Sequence, residues 1–167
     1  MRLSETLLPE LDQEMATTRR LLERVPDDRT GWKPHDKSMS LGRLASHVAE
    51  LPGFVGMILG GEGFDLAARS SGYTPKTLNG HQEMVEEFDT NVRNARAALE
   101  KAENEALLQP WTLRRGEQVV FTLPRMAALR AMFFSHIIHH RGQLSVYLRL
   151  NDVPVPSIYG PSADEAV

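Results

Sequence analysis

The stretch from Leu123 to Leu150, LPRMAALRAMFFSHIIHHRGQLSVYLRL, most constrains what this chain can become. Apolar residues recur through it at the three- and four-residue steps of an α-helix, and its first half, MAALRAMFFSHII, is apolar on nearly every side. Such a helix has no face to give to water. It sits at the centre of a fold or at a subunit interface, and the rest of the chain must be arranged around it. Thr122 and Pro124 supply its start signal.

Three further segments carry the same period. From about Ser4 to Val25, a stripe of Leu7, Leu8, Leu11, Met15, Thr18 and Leu22 runs along a charged helix that stops at Pro26. From about Leu41 to Leu59 the stripe is Leu41, Leu44, His47/Val48, Leu51, Val55 and Ile58, with Ser38 or Ser40 as cap. Pro52 lies inside this helix and removes the hydrogen bond to the Val48 carbonyl, which predicts a kink. From about Gly80 to Leu107 the stripe is Met84, Val85, Phe88, Val92, Ala95 and Leu99. Between the third and fourth helices, WTLRRGEQVVFTL is rich in β-branched and aromatic residues around a glycine turn and reads as a short hairpin. The expected architecture is all-α: one domain over residues 1–167, a four-helix bundle with that hairpin inserted. The Gly-rich GGEGFD and the Ser/Gly/Pro stretch up to Asn79 read as a long loop, so simple up-down wiring is not required.

Net charge is −3, and no Lys/Arg run is interleaved with stacking aromatics, which argues against a nucleic-acid partner. The N-terminus turns acidic at once and no stretch is apolar for long enough to span a bilayer, so the expected location is the cytoplasm, with no membrane partner. There is no cysteine. Thiolate metal sites and cysteine nucleophiles are therefore excluded, and any thiol chemistry needs a thiol brought from outside.

Within the fourth helix, SHIIHHRGQL holds three histidines in five positions. Each helical residue advances about 100°, so His136 and His140 stack on one face, the spacing by which two imidazoles grip one ion. They share the phase of Leu129, Phe133, Leu144 and Tyr147 and so face the core, whereas His139 falls in line with Met132, Ser135, Gln143 and Val146. His47 also lies on a core stripe, between Leu44 and Leu51, which makes it the candidate third ligand. A core histidine bonded to a carbonyl accounts for His47 taken alone. Two inward imidazoles without partners would leave buried nitrogens unsatisfied, which favours a metal for the set of three. Neutral nitrogen donors suit a divalent ion such as zinc, nickel or iron, and three protein ligands are the plan of a catalytic site.

Other polar residues carry less. His81 near a helix start and His35 in a polar loop read as surface histidines. Glu50, one turn beyond His47, offers a base or an acceptor for a ligand, although a surface ion pair is the simpler account. Arg141 and Gln143 can hold a substrate carboxylate or orient a ligand, with a salt bridge and a helix-face amide as plain alternatives. Ser157 and Tyr159 in the Pro-rich tail can fold back toward the site.

LGRLASHVAE, with its lone histidine, together with SHIIHHRGQLSVYLRL and the ending VPVPSIYGPSADE, resembles the DinB/YfiT-like family of metalloenzymes. The resemblance implies an up-down-down-up four-helix bundle, often a homodimer, and one divalent ion, typically nickel or zinc, on three histidines. By position these are His47, His136 and His140, with His139 a common non-ligand. It also implies chemistry on a small-molecule substrate: thiol-dependent S-transfer to electrophiles, with a low-molecular-weight thiol as co-substrate. A metal-dependent hydrolase with Glu50 as base and a non-catalytic, stress-related metal-binding protein are the competing expectations. The all-round apolar start of the fourth helix is the sequence's own argument for a dimer.

Overall fold

The first helix, α1 (Leu3–Leu22), forms where the stripe requires it: Leu7, Leu11, Met15, Thr18 and Leu22 are all buried. Each fully buried leucine of such a stripe contributes about 1.5–3 kcal/mol of transfer free energy. The computed structural model describes residues 2–67 and 75–166, which are mostly helical with a small three-stranded sheet.

The second helical tract is more than kinked. It stops and restarts as α2 (Leu41–Glu50) and α3 (Gly53–Gly60). Ser40 caps α2 by accepting from the Arg43 N–H at 3.2 Å, a contact worth about 1 kcal/mol. At the break, the N–H groups of Phe54 and Val55 donate to the carbonyls of Leu51 and Pro52, three residues back, so the turn tightens around the proline.

The third tract is also interrupted. α4 (His81–Lys101) ends at Ala102, whose backbone is extended, and a short α5 (Asn104–Leu108) comes next. The gap is secured by the N-terminus: the Arg2 guanidinium donates to the carbonyl of Glu100 at 2.8 Å, and the Leu3 N–H donates to Asn104 Oδ1 at 2.7 Å. A helix end satisfied from about a hundred residues away leaves no local sequence signal.

The hairpin is present as β2 (Pro110–Arg115) and β3 (Gln118–Pro124), antiparallel around Gly116, whose φ of 60° suits glycine. Part of the expected loop is instead a strand, β1 (Gly63–Asp65), which pairs parallel with β2 at the other edge. Gly63 faces Thr112 so closely that a Cβ would meet the Thr112 carbonyl oxygen at 2.3 Å. The rest of that loop as far as residue 74 lies partly outside the described residues.

The fourth tract consists of α6 (Arg125–Leu129), a π turn over Arg130–Phe134, and α7 (Ser135–Leu150). The Ser135 N–H reaches back five residues to the Arg130 carbonyl. The π turn brings two consecutive aromatics, Phe133 and Phe134, into the core with ring centroids 4.7 Å apart. Phe133, Phe134 and Ile137 are buried within the chain, whereas Ala131 is exposed and Met126, Met132 and Ile138 are only partly covered. α1 and α2 each pack against both α4 and α7, while α3 packs against α4 and α6. Beyond α7, the tail is tied to the end of α1 and the turn after it through Glu165, which accepts from Arg20 and Arg24, and to α7 through Asp164 and Arg149.

Candidate metal centre

Two elements bring the centre together. Ser40 and the Leu44/Val48/Leu51 stripe set the rotation of α2, which turns His47 toward α7. On α7, Ile137, Leu144 and Leu148 are buried and Ser135, His139, Gln143 and Val146 are exposed, so His136 and His140 point toward α2. One nitrogen from each of His47, His136 and His140 lies within 4.8 Å of the others, and all three side chains are half-buried. His139 faces solvent with its ring stacked edge-on 4.8 Å from that of His140, outside the set. His81 is elsewhere, at the start of α4, bonded to Asp27 at 2.9 Å.

The ring nitrogens sort themselves. His136 Nδ1 lies 3.2 Å from the carbonyl of Met132, which can only accept, so Nδ1 carries the proton and Nε2 the lone pair. His140 Nδ1 lies 2.7 Å from Gln143 Oε1, which fixes the same tautomer. His47 Nε2 faces His136 Nε2 at 3.4 Å. Its own Nδ1 is buried and, among the described residues, makes no hydrogen bond; Glu50 Oε2 stands 3.8 Å away, beyond hydrogen-bond length.

That arrangement fits a cation. With the His47 proton on Nε2 that ring donates to His136; with it on Nδ1, two lone pairs face one another and repel unless something positive lies between them. Tetrahedral zinc with bonds of ~2.0–2.1 Å sets its ligand nitrogens about 3.3 Å apart, close to the His47–His136 spacing. Electrostatics favours the ligand form as well. Burial pushes the His136 imidazole below its ordinary value, and the neighbouring His47 adds to the shift. Burial pushes His140 down to about 4, against the opposing pull of the Gln143 bond. Both rings are therefore neutral at neutral pH, the form that binds metal.

Several neighbours shape the surroundings. The Phe54 ring of α3 lies 6.5 Å from that of His47 and 6.3 Å from that of His136, a wall that the histidine pattern did not announce. Glu50 is not the surface ion pair its sequence position suggested. Its side chain is 6% exposed, and it pairs with Arg43 at 3.3 Å while accepting from the Lys76 N–H at 2.5 Å. Arg141 is also buried and points away from the centre, onto Glu14 at 2.6 Å and Thr18 at 3.3 Å on α1. Tyr159 folds back onto that same pair, and the Ser157 N–H binds Glu165, so neither tail residue joins the histidines. No helix among the described residues is long and apolar enough to cross a membrane.

The family model described as "DinB family" matches residues 1–166, almost the full length. The chain belongs to the DinB family. Among its relatives is the uncharacterized protein YrdA of Bacillus subtilis (strain 168), 26% identical over 155 residues, an alignment that spans 91% of this chain and 85% of YrdA. Two solved structures share the fold. A DinB-like protein from Bacillus cereus superposes with a TM-score of 0.71 at 19% identity, covering 93% of this chain and 97% of that one. The DinB-like protein YjoA of Bacillus subtilis gives 0.67 at 22% identity, covering 89% and 96%. The DinB fold thus comprises helices and a small sheet here, and the three histidines that could hold a metal ion sit between its second and last helical tracts.

Proposed function

We propose that this DinB-family protein holds one divalent metal ion on His47, His136 and His140 and is a metal-dependent enzyme, a thiol S-transferase acting on small electrophiles. The observation that carries this is the convergence of three imidazoles from two helices, with the Nδ1 protons of His136 and His140 engaged outward and their Nε2 lone pairs turned in. The all-nitrogen donor set suits zinc, nickel or iron. When bound, the ion would supply Lewis acidity, lowering the pKa of a coordinated thiol or water.

The chain's own residues do the positioning. Met132 and Gln143 hold the protons of His136 and His140 at Nδ1, and the Phe54 ring lines one side of the centre with apolar surface. The absence of cysteine means that the thiol must be a second small molecule. The hydrolase alternative needs a free base, and Glu50 suits that role poorly because Arg43 and the Lys76 N–H already occupy its two oxygens. We read the fold as a single four-helix-bundle domain wired up-down-down-up. α2 with α3 and α6 with α7 then count as one interrupted helix each.

Elemental analysis of tag-free protein tests the metal. Near-stoichiometric nickel, zinc or iron is expected, and it should vanish in His47→Ala and His136→Ala. A panel of low-molecular-weight thiols and electrophiles then tests the reaction. Metal-dependent conjugation supports the transferase, and metal uptake without any conjugation sinks it.

A further inference from the structure

Glu50 is a buried carboxylate that the metal-centre reading leaves without a task. It sits three residues after His47 on α2, as Gln143 sits three after His140 on α7. Gln143 accepts from its histidine's Nδ1 at 2.7 Å. Glu50 Oε2 lies 3.8 Å from the corresponding nitrogen of His47, which is buried and has no hydrogen bond among the described residues. The carboxylate is held from two sides. Arg43 donates to Oε2 at 3.3 Å, and the Lys76 N–H donates to Oε1 at 2.5 Å.

The loop that supplies Lys76 is itself fastened to α2. Arg43 also donates to the Lys76 carbonyl at 3.2 Å, and the Leu78 N–H donates to Ser46 Oγ at 2.9 Å. The carboxylate therefore cannot swing away from α2 without breaking these contacts.

His47 has two neutral tautomers. With the proton on Nε2, the ring makes a long donation to His136 Nε2 at 3.4 Å, but its Nδ1 lone pair then faces an anionic oxygen from a buried position, which is repulsive. With the proton on Nδ1, the N–H dipole points at the carboxylate and Nε2 is left bare toward His136. The 3.8 Å separation has to shorten for a hydrogen bond to form, and loose contacts of this kind tighten when a site is loaded.

We propose that Glu50 is a positioning residue for the metal centre: fixed by Arg43 and the Lys76 N–H, its carboxylate holds the proton of His47 on Nδ1 and so presents Nε2 to the ion. The inference rests on the reading of the three histidines as a metal centre. It also assigns the outer contacts of the set distinct chemistry: a backbone carbonyl behind His136, an amide behind His140 and the one negative charge behind His47.

The test uses the full-length chain with ¹⁵N-labelled histidine. Long-range ¹H–¹⁵N spectra of the metal-free wild type at neutral pH should show His47 protonated on Nδ1. In Glu50→Gln the amide can donate to Nδ1 as well as accept from it, so the preference for Nδ1–H should weaken and the Nε2–H tautomer gain population. Zn²⁺ affinity, measured by chelator competition, should fall about 10- to 100-fold in Glu50→Gln and recover in part in Glu50→Asp, which keeps the charge. A wild type with the His47 proton on Nε2 overturns the inference without recourse to any variant. So does a Glu50→Gln affinity within about twofold of wild type, since outer contacts of this kind carry the larger effect. A wild type that takes up no Zn²⁺ overturns the underlying metal reading instead.

Discussion

Replacing Arg141 by methionine should be among the most damaging single changes outside the metal centre. Arg141 is 1% exposed and its partner Glu14 9%, by side chain, with the guanidinium 2.6 Å from the carboxylate. The same guanidinium donates to the Glu14 carbonyl at 3.2 Å and to Thr18 Oγ1 at 3.3 Å, and Tyr159 donates its hydroxyl to Glu14 at 2.9 Å. Methionine fills much of the aliphatic volume but strands the carboxylate. Removing one member of a buried pair costs about 3–5 kcal/mol, because the remaining charge is left uncompensated. In a chain of this length 1 kcal/mol moves the melting temperature by about 2–4 °C, so Arg141→Met should melt roughly 6–20 °C lower. Thermal unfolding followed by circular dichroism, with chelator present to keep metal out of the balance, measures it directly. The double variant Glu14→Leu/Arg141→Met should recover much of the loss, since a buried pair exchanged whole for apolar residues is often neutral. A single variant that melts within about 2 °C of wild type, or a double variant no better than the single, would refute the reasoning.

Acid should weaken the metal-free protein in a defined window. His140 is held down near 4 and His136 is also lowered, so between about pH 6.5 and 4 the unfolded chain binds more protons than the folded one, and stability falls as pH falls. The His140 part alone is on the order of 2 kcal/mol once solvent at the half-buried ring is allowed for, and a stability curve flat across that window would contradict it. Gly63→Ala should cost about 1–3 kcal/mol and loosen β1 from β2, because the new Cβ meets the rigid Thr112 carbonyl; hydrogen exchange at the Thr112 and Leu66 amides reads it, and unchanged protection would count against the register. Loss of metal from His140→Ala, scored by elemental analysis, should match the loss from His47→Ala, since the centre draws on both helices.

Periodicity carried the fold as far as periodicity can. The stripes on α1 and α4 predicted burial correctly at Leu7, Leu11, Met84, Phe88 and Leu99, and the phase of α7 separated His136 and His140 from His139. What escaped was decided at a distance. β1 is three residues long and pairs with a partner nearly fifty residues later. The break at Ala102 is satisfied by Arg2. The π turn replaces no residue type that would betray it. At the candidate metal centre the convergence of His136 and His140 was legible because their spacing repeats a helical turn, whereas Gln143, which fell in line with His139, showed its contact with His140 only in the structure. The environment of Glu50 was not, because its anchor, the Lys76 N–H, is a backbone group on another segment.

The π turn makes the fourth tract a ruler. The five-residue reach from Ser135 to Arg130 accommodates one residue more than an α-helix would over the same turn. Deleting one residue there would let the tract rewind as continuous α-helix and swing α7 by about 100° relative to α6. Since α6 is locked behind the hairpin and packed on α3, the histidines would have to absorb the rotation and leave the face of His47. The distance from Pro124 to His136 is thus fixed in residue count, whatever the identity of the side chains between them.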